Sequence, residues 1–130
     1  MKTRGQNKTV RTQIRRIEPF VTLDKSEIRE LLSPRNSVIR NQSLAEARIK
    51  PGRSTLRHHH KRTEEIYYVT SGKGCMELGK KILDVKEGDA IAIPPRTWHR
   101  ITNTGKKDLK ILCCCAPSYE HRDTVMREEK

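Results

Sequence analysis

From residue 38 onward the chain contains short runs in which apolar and polar residues alternate, and turn-forming residues close each run. Glycine and proline mark these turns, as at 51–52, 71–74 and 94–95. Many short strands without a helical pattern between them predict a β-sandwich or a β-barrel. The strands are predicted at 38–50, 54–60, 65–70, 74–78, 81–86, 90–93, 98–103 and 108–115.

The segment before this region has a different pattern. Asp24 followed by Glu27 resembles a capping box at a helix N-terminus, and the apolar residues within 28–32 have helical spacing. Pro34 would end such a helix. The sequence therefore predicts a short helix here, with a strand as the open alternative because the segment is so short.

The core of the protein has to be small. A chain of 130 residues is long enough for one domain and short for two. Hydrophobic residues make up 33% of it and aromatic residues only 4%. Small domains bury a modest share of their surface. We therefore expect added stability from a subunit interface or a bound metal, and a homodimer is the expected assembly.

Positive charge is concentrated at the N-terminus. Half of the formal net charge of +12 comes from residues 1–17, which contain six basic residues and no acidic one. We expect a flexible basic arm at 1–17, a barrel domain at 18–118 and a C-terminal tail at 119–130, either loose or ending in a helical turn. Such an arm can be solvated, brace a subunit, or bind nucleic acid or an anionic membrane. Its lack of aromatic residues disfavours binding to single-stranded nucleic acid.

Two further features bear on the compartment. The N-terminus has no apolar stretch of signal-peptide length, and the longest apolar run, 111–116, is far too short to span a bilayer. We expect a cytoplasmic protein without membrane contact.

Cys75 and the run 113–115 do not form the CxxC pair of a structural zinc site. We interpret them as small core residues, with a thiol metal site or redox switch as the alternative.

Three consecutive histidines form the main chemical signal. On a strand, His58 and His60 point to one face and His59 to the other. Glu65 lies at the start of the next predicted strand, and a further histidine, His99, follows the Pro94-Pro95 turn. Imidazoles one strand step apart can bind a single cation together, and a neighbouring carboxylate can reach it.

These residues are spaced as in the two sequence motifs of the cupin superfamily, which the region 52–103 closely resembles. The first motif reads here Gly52, His58, His60, Glu65 and Gly72. The second reads Gly88, Pro94, Arg96, His99 and Asn103. Arg96 stands where the family prefers glycine.

The resemblance implies an all-β fold, the cupin double-stranded β-helix or jelly-roll barrel of RmlC-like proteins, with a short N-terminal arm. It also implies one divalent transition metal bound by His58, His60, Glu65 and His99. The six-residue gap before Gly72 selects Glu65 over Glu64. These ligand types suit Fe, Mn, Ni, Co or Zn, and the sequence does not choose among them.

Other residues are candidates for the site. Tyr67 shares the face of Glu65 and is a candidate for catalysis and substrate binding, unless its ring only fills the barrel. Arg96 is a candidate for binding an anionic substrate, unless it is a surface residue. Trp98 is expected to face outward, and Asn103 either orients a ligand histidine or caps a turn. Three residues share a face whose direction the sequence leaves open: Gln42, Leu44 and Glu46.

These features favour a metal-dependent enzyme acting on a small, oxygen-rich molecule, expected to be anionic because of the basic surplus. The resemblance extends to dioxygenases, isomerases and epimerases, decarboxylases and lyases, and the fold does not choose among them. The alternative is a non-catalytic cupin module that binds a small ligand or a metal. A sugar-phosphate isomerase specifically, or nucleic acid binding through the arm, is less favoured.

Overall fold

The computed structural model describes residues 7–127, so residues 1–6 of the predicted arm and 128–130 of the predicted tail lie outside the described residues. Two antiparallel sheets face each other. The six-stranded sheet contains, in spatial order, β1 (Phe20–Val21), β2 (Glu27–Leu32), β3 (Ser43–Ile49), β10 (Leu109–Ala116), β5 (Glu64–Ser71) and β8 (Ala90–Ile93). The five-stranded sheet contains β11 (Thr124–Met126), β4 (His58–His60), β9 (His99–Asn103), β6 (Lys73–Leu78) and β7 (Lys81–Lys86). The predicted all-β jelly-roll architecture is confirmed.

Helical structure is confined, between residues 7 and 127, to two short 3-10 turns at Ile14–Arg16 and His121–Asp123. That part of the chain has no helix of the length and apolar character needed to cross a membrane.

The core lies between the two sheets. Along β5 the residues Glu65, Tyr67 and Val69 are buried, whereas the residues before each of them are exposed. This period-2 pattern is what a strand with one inward face requires. The other fully buried apolar side chains come from several strands: Met76, Ile101, Leu109 and Ile111.

The predicted helix near residue 24 is wrong, and the alternative holds, because this segment forms strand β2. It pairs with β3 in antiparallel register, Ile28 facing Ala47. Asp24 accepts hydrogen bonds from Ser26 inside the turn that joins β1 to β2. Lys25 completes that turn in the left-handed region, with φ of 75°. Pairing across the sheet therefore overrides the weak helical preference of a short segment.

Two predicted strands begin later than expected. The strand predicted from residue 38 begins at Ser43, and the one predicted from 54 begins at His58. Residues 33–37 form a turn closed by side chains, in which Ser33 N–H donates to Asn36 Oδ1. Ile39 N–H donates to Ser37 Oγ, so a side-chain-to-backbone bond, which propensity does not reveal, takes the place of strand pairing there.

Residues 119–127 are structured, in contrast to the loose-tail alternative, and they include the 3-10 turn His121–Asp123. Strand β11 pairs antiparallel with β4, so that Val125 faces His59. Asp123 accepts hydrogen bonds from the main-chain N–H groups of Arg62 and Thr63. This segment therefore forms an edge strand of the five-stranded sheet, next to the strand that carries His58 and His60.

The open question about β3 is also answered. Ser43, Ala45 and Ala47 line the interior cavity. Because side chains alternate along a strand, Leu44 and Glu46 point outward. Glu46 bonds Arg48 on that outer face.

Candidate metal centre

Strands β4 and β9 bring three histidines together inside the barrel. His58 and His99 are directly opposed in the antiparallel ladder, and His60 lies one strand step from His58. All three are buried, with at most 3% of each residue exposed. One ligand nitrogen from each lies within 4.8 Å of the others. The sequence predicted this grouping, and the sheet register produces it.

Hydrogen bonds at Nδ1 fix two of these rings. His58 Nδ1 is 2.8 Å from the carbonyl oxygen of Leu56, and His99 Nδ1 is 2.9 Å from that of Thr97. A carbonyl oxygen can only accept, so the proton is on Nδ1 in both rings. Their Nε2 atoms therefore keep a free lone pair.

The third ring is fixed from the C-terminal segment. Thr124 Oγ1 donates to the carbonyl oxygen of Glu120, at 3.0 Å. The same hydroxyl oxygen is 3.0 Å from His60 Nδ1. Since its proton is used, this oxygen accepts from His60 Nδ1–H, which leaves the lone pair of Nε2 facing inward.

Glu65 places its carboxylate against these nitrogens. Its Oε1 is 3.2 Å from His60 Nε2 and 3.8 Å from His99 Nε2. The carboxylate oxygen and the two histidine nitrogens all carry lone pairs, which repel one another. A cation or a shared proton is therefore needed between them. Glu64, one residue earlier, is exposed on the outer face. The carboxylate near the histidines is therefore Glu65, as the spacing selects.

His99 Nε2 is buried and makes no hydrogen bond among residues 7–127. Burial, and then the neighbouring His58, lower the pKa of His99 to about 3. The ring is thus neutral at physiological pH. An unpartnered buried nitrogen with a free lone pair beside a carboxylate fits a divalent transition metal, whose usual ligands are these groups.

The two candidate substrate residues lie in different places. Tyr67 is 5% exposed and lines the cavity, with its ring centroid 6.0 Å from that of His99. Burial, and then the charge of Glu65, raises the pKa of Tyr67 well above its usual value, so the phenol keeps its proton. Arg96 is exposed on the loop before β9 and is not among the cavity-lining residues.

The backbone explains the glycine preference at position 96. Arg96 adopts a φ of 61°, and its N–H donates to the carbonyl oxygen of His60 at 2.6 Å. The left-handed conformation is open to glycine without strain, whereas arginine adopts it at a cost. The turn that presents His99 is therefore formed despite the substitution.

Neighbouring side chains follow the predicted faces. His59 points outward and packs edge-on against Trp98, with ring centroids 4.5 Å apart. Asn103 holds a turn, because its amide donates to the carbonyl oxygens of Ile49 and Lys107. Cys115 points inward, and its thiol donates to Glu65 Oε2 at 3.4 Å.

A small cavity of about 60 Å³ opens beside the histidines. Its lining includes two groups that sequence reasoning missed, Asp24 and Tyr119. The sequence pattern predicts a helix cap at Asp24 and places Tyr119 in the C-terminal tail. Both reach the site through pairings distant in sequence, so no local signal could have identified them.

A family model for the cupin domain matches residues 45–115, more than half of the chain. The chain is 48% identical over 121 residues to an uncharacterized protein of Methanocaldococcus jannaschii, MJ1618; the match covers 93% of this chain and 97% of that relative.

Solved structures show the same likeness. A predicted oxalate decarboxylase from Thermotoga maritima matches 84% of this chain and 99% of its own, with a TM-score of 0.73 and 27% identity. The polyketide cyclase RemF from Streptomyces resistomycificus matches 94% of this chain and 87% of its own, with a TM-score of 0.78. The identity to RemF is 19%, so that likeness concerns the fold alone.

Proposed function

The chain belongs to the cupin family, and from that premise we propose that it is a metal-dependent enzyme acting on a small, oxygen-rich molecule. One observation carries the proposal: three buried histidine Nε2 atoms converge beside the Glu65 carboxylate. The proposed ligands are those expected from the sequence: His58, His60, Glu65 and His99. Four protein ligands leave positions open on a five- or six-coordinate ion.

A bound Fe, Mn, Ni, Co or Zn ion would supply Lewis-acid polarisation of a substrate oxygen. The chain's own groups orient and protonate. Tyr67 keeps its phenolic proton and lines the cavity, which suits a hydrogen-bond or proton donor to that oxygen. Arg96 lies on the exposed loop that follows β8, and its proposed role is to contact the part of a substrate that extends out of the barrel.

The name of one similar structure supports an enzymatic role. That structure, 27% identical to this chain, is described as a predicted oxalate decarboxylase. We propose a reaction of the dioxygenase, isomerase or epimerase, or lyase type, in which the protein binds and orients an oxygen-bearing substrate. A fold shared by many chemistries does not select one of them.

The test is metal content in untagged protein purified without a nickel column. We expect about one equivalent of a transition metal per chain in wild type, by elemental analysis. His99→Ala should lose it, because that variant removes a ligand nitrogen with no other partner. His59→Ala is the matched control, since His59 faces outward, and it should keep the metal.

Wild type that holds no metal, even after reconstitution, would refute the proposal and favour the non-catalytic binding module. Metal that persists in His99→Ala but is lost in His59→Ala would place the ion elsewhere. A bound metal without turnover on any sugar, keto acid or phenolic substrate would also favour the binding module.

We also propose that the protein is a homodimer that pairs through the outer face of the six-stranded sheet. Ile66 and Tyr68 are about half exposed there, next to Cys114 on β10. Glu64 and Lys110 lie at opposite ends of this apolar patch with opposite charges, which suits pairing with a second, two-fold-related copy. Light scattering should give twice the monomer mass, and Tyr68→Lys should give the monomer mass.

A further inference from the structure

The cavity and the protein as a whole differ in charge. The chain carries +12, yet the cavity lining within residues 7–127 contains no lysine or arginine. Three carboxylates line it instead: Asp24, Glu30 and Glu65. The positive charges therefore lie on other surfaces, and net charge is a poor guide to the ligand.

Glu30 is already balanced by a cation. Arg35 donates to its Oε2 at 2.6 Å, and Ser33 Oγ donates to its Oε1 at 2.9 Å. These bonds use both carboxylate oxygens. Glu30 therefore adds little net charge to the cavity.

Asp24 is held rigidly with one oxygen facing the histidines. Its Oδ1 accepts from the N–H and the hydroxyl of Ser26, at 2.9 and 2.6 Å. Its Oδ2 is 3.6 Å from His58 Nε2. The residue is buried, with 9% exposed, so its charge is poorly screened by water.

The main chain joins this carboxylate to a proposed ligand. Leu56 N–H donates to the carbonyl oxygen of Asp24 at 2.8 Å. The carbonyl oxygen of the same Leu56 accepts from His58 Nδ1. Leu56 therefore links the backbone of Asp24 to the ring of His58, while Ser26 orients the Asp24 carboxylate.

The charges of the loaded site then cancel. A divalent ion with three neutral imidazoles and the Glu65 carboxylate carries one positive charge. Asp24 contributes one negative charge, which brings the sum to zero. Because the lining provides no lysine or arginine, an anion at the ion would meet no second positive group, and Oδ2 of Asp24 would repel it at short range.

We propose that the cavity takes an uncharged, partly apolar ligand that presents oxygen atoms to the histidine cluster, and that Asp24 excludes carboxylates and phosphates. This inference rests on the proposed function and refines it. Isoleucines 28, 49 and 111 line the cavity and supply the apolar contact. The anionic ligand expected from the basic surplus does not match this lining.

The test compares lactate with lactamide, two hydroxy compounds of nearly equal shape that differ by one charge. Full-length protein loaded with Co²⁺ is titrated with each, and binding is followed by the visible spectrum of the ion and by calorimetry. Relative to free Co²⁺, wild type should disfavour lactate against lactamide by at least about tenfold.

Asp24→Asn should move the preference back toward lactate by at least about tenfold, since asparagine keeps an oxygen for Ser26 and removes the charge. Glu46→Gln is the matched control: it neutralises a buried carboxylate on the outer face and should leave the preference unchanged.

The outcomes separate the two proposals. Wild type that binds no Co²⁺ would overturn the proposed function and this inference together. Wild type that binds Co²⁺ and prefers lactate as strongly as the free ion does would overturn only the inference. If Asp24→Asn fails to fold, the wild-type preference decides alone.

Discussion

Strands β4 and β5 carry three pairs of like residues on opposite faces. His60, Glu65 and Tyr67 point into the barrel and are buried. Their sequence neighbours of the same type point outward: His59, Glu64 and Tyr68. The outer members pack against a neighbouring ring or meet solvent, whereas the inner members meet one another. Chemistry at this site thus follows from the environment of a residue, and the outer members serve as built-in controls.

The largest expected effect concerns His59 and His60, whose alanine variants should differ in how much bound metal stabilises the fold. Metal at about 100 times its dissociation constant should raise the free energy of unfolding of wild type and His59→Ala by about 2.7 kcal/mol. His60→Ala should gain little, because an inward Nε2 is lost. Thermal unfolding with and without metal measures this, and an equal gain in both variants would contradict it.

In the second pair, Glu65→Gln should change the free energy of unfolding in opposite directions without and with metal. In metal-free protein, Glu65→Gln should raise the free energy of unfolding by about 1 kcal/mol, because its amide can donate to His60 Nε2, where two lone pairs face each other at 3.2 Å. With metal, the same variant should be less stable than wild type. Glu64→Gln should leave the free energy of unfolding unchanged in both states. Unfolding curves measured with a chelator and with added metal test both expectations.

A smaller effect is expected from the inward thiol. Cys115→Ala should weaken metal binding about tenfold, since the thiol orients Glu65 through Oε2. Cys115→Ser retains a donor and should restore part of the affinity. Cys114→Ala, on the exposed outer face, is the control. Competition with a chelator measures the metal affinities. Equal affinities in Cys115→Ala and Cys114→Ala would contradict a role of Cys115 in orienting Glu65.

The smallest effect concerns the outer surface alone. Arg100 and Arg57 bind Glu77, and the bond to Arg100 is the largest cause of a lowered Glu77 pKa. A carboxylate with a lowered pKa stabilises the fold above its unfolded pKa, and this stability is lost as pH falls through the folded value. Glu77→Gln should therefore cost about 0.5–1 kcal/mol at pH 7.

That difference should disappear in acid, below the folded pKa of Glu77. Urea unfolding at a series of pH values follows it. Metal affinity should stay unchanged, although the two arginines are sequence neighbours of His58 and His99. A change in affinity would show that the outer and inner faces are coupled.

Much of the fold and of the histidine cluster was predictable. Residues 52–103 contain the spacing of His58, His60, Glu65 and His99, and the structure brings these side chains together. The choice of Glu65 over Glu64 followed from the six-residue gap before Gly72, and strand alternation then placed Tyr67 on the same face. The flanks were less predictable: the segment from Asp24 forms the strand that was the open alternative to a helix, and the segment from Tyr119 contains a 3-10 turn, as one alternative had it, and also strand β11.

The sequence by itself determined which residues share a face, because the period of a strand is set by the covalent geometry of the backbone. Hence His58 with His60, and Glu65 with Tyr67, could be assigned without a structure. Only the tertiary structure decided which distant segments meet them. Thr124 reaches His60 through the pairing of β11 with β4, and Asp24 reaches His58 because its carbonyl oxygen accepts from Leu56 N–H. Such pairings depend on the register of whole strands, so the charge balance of the cavity was a property of the fold alone.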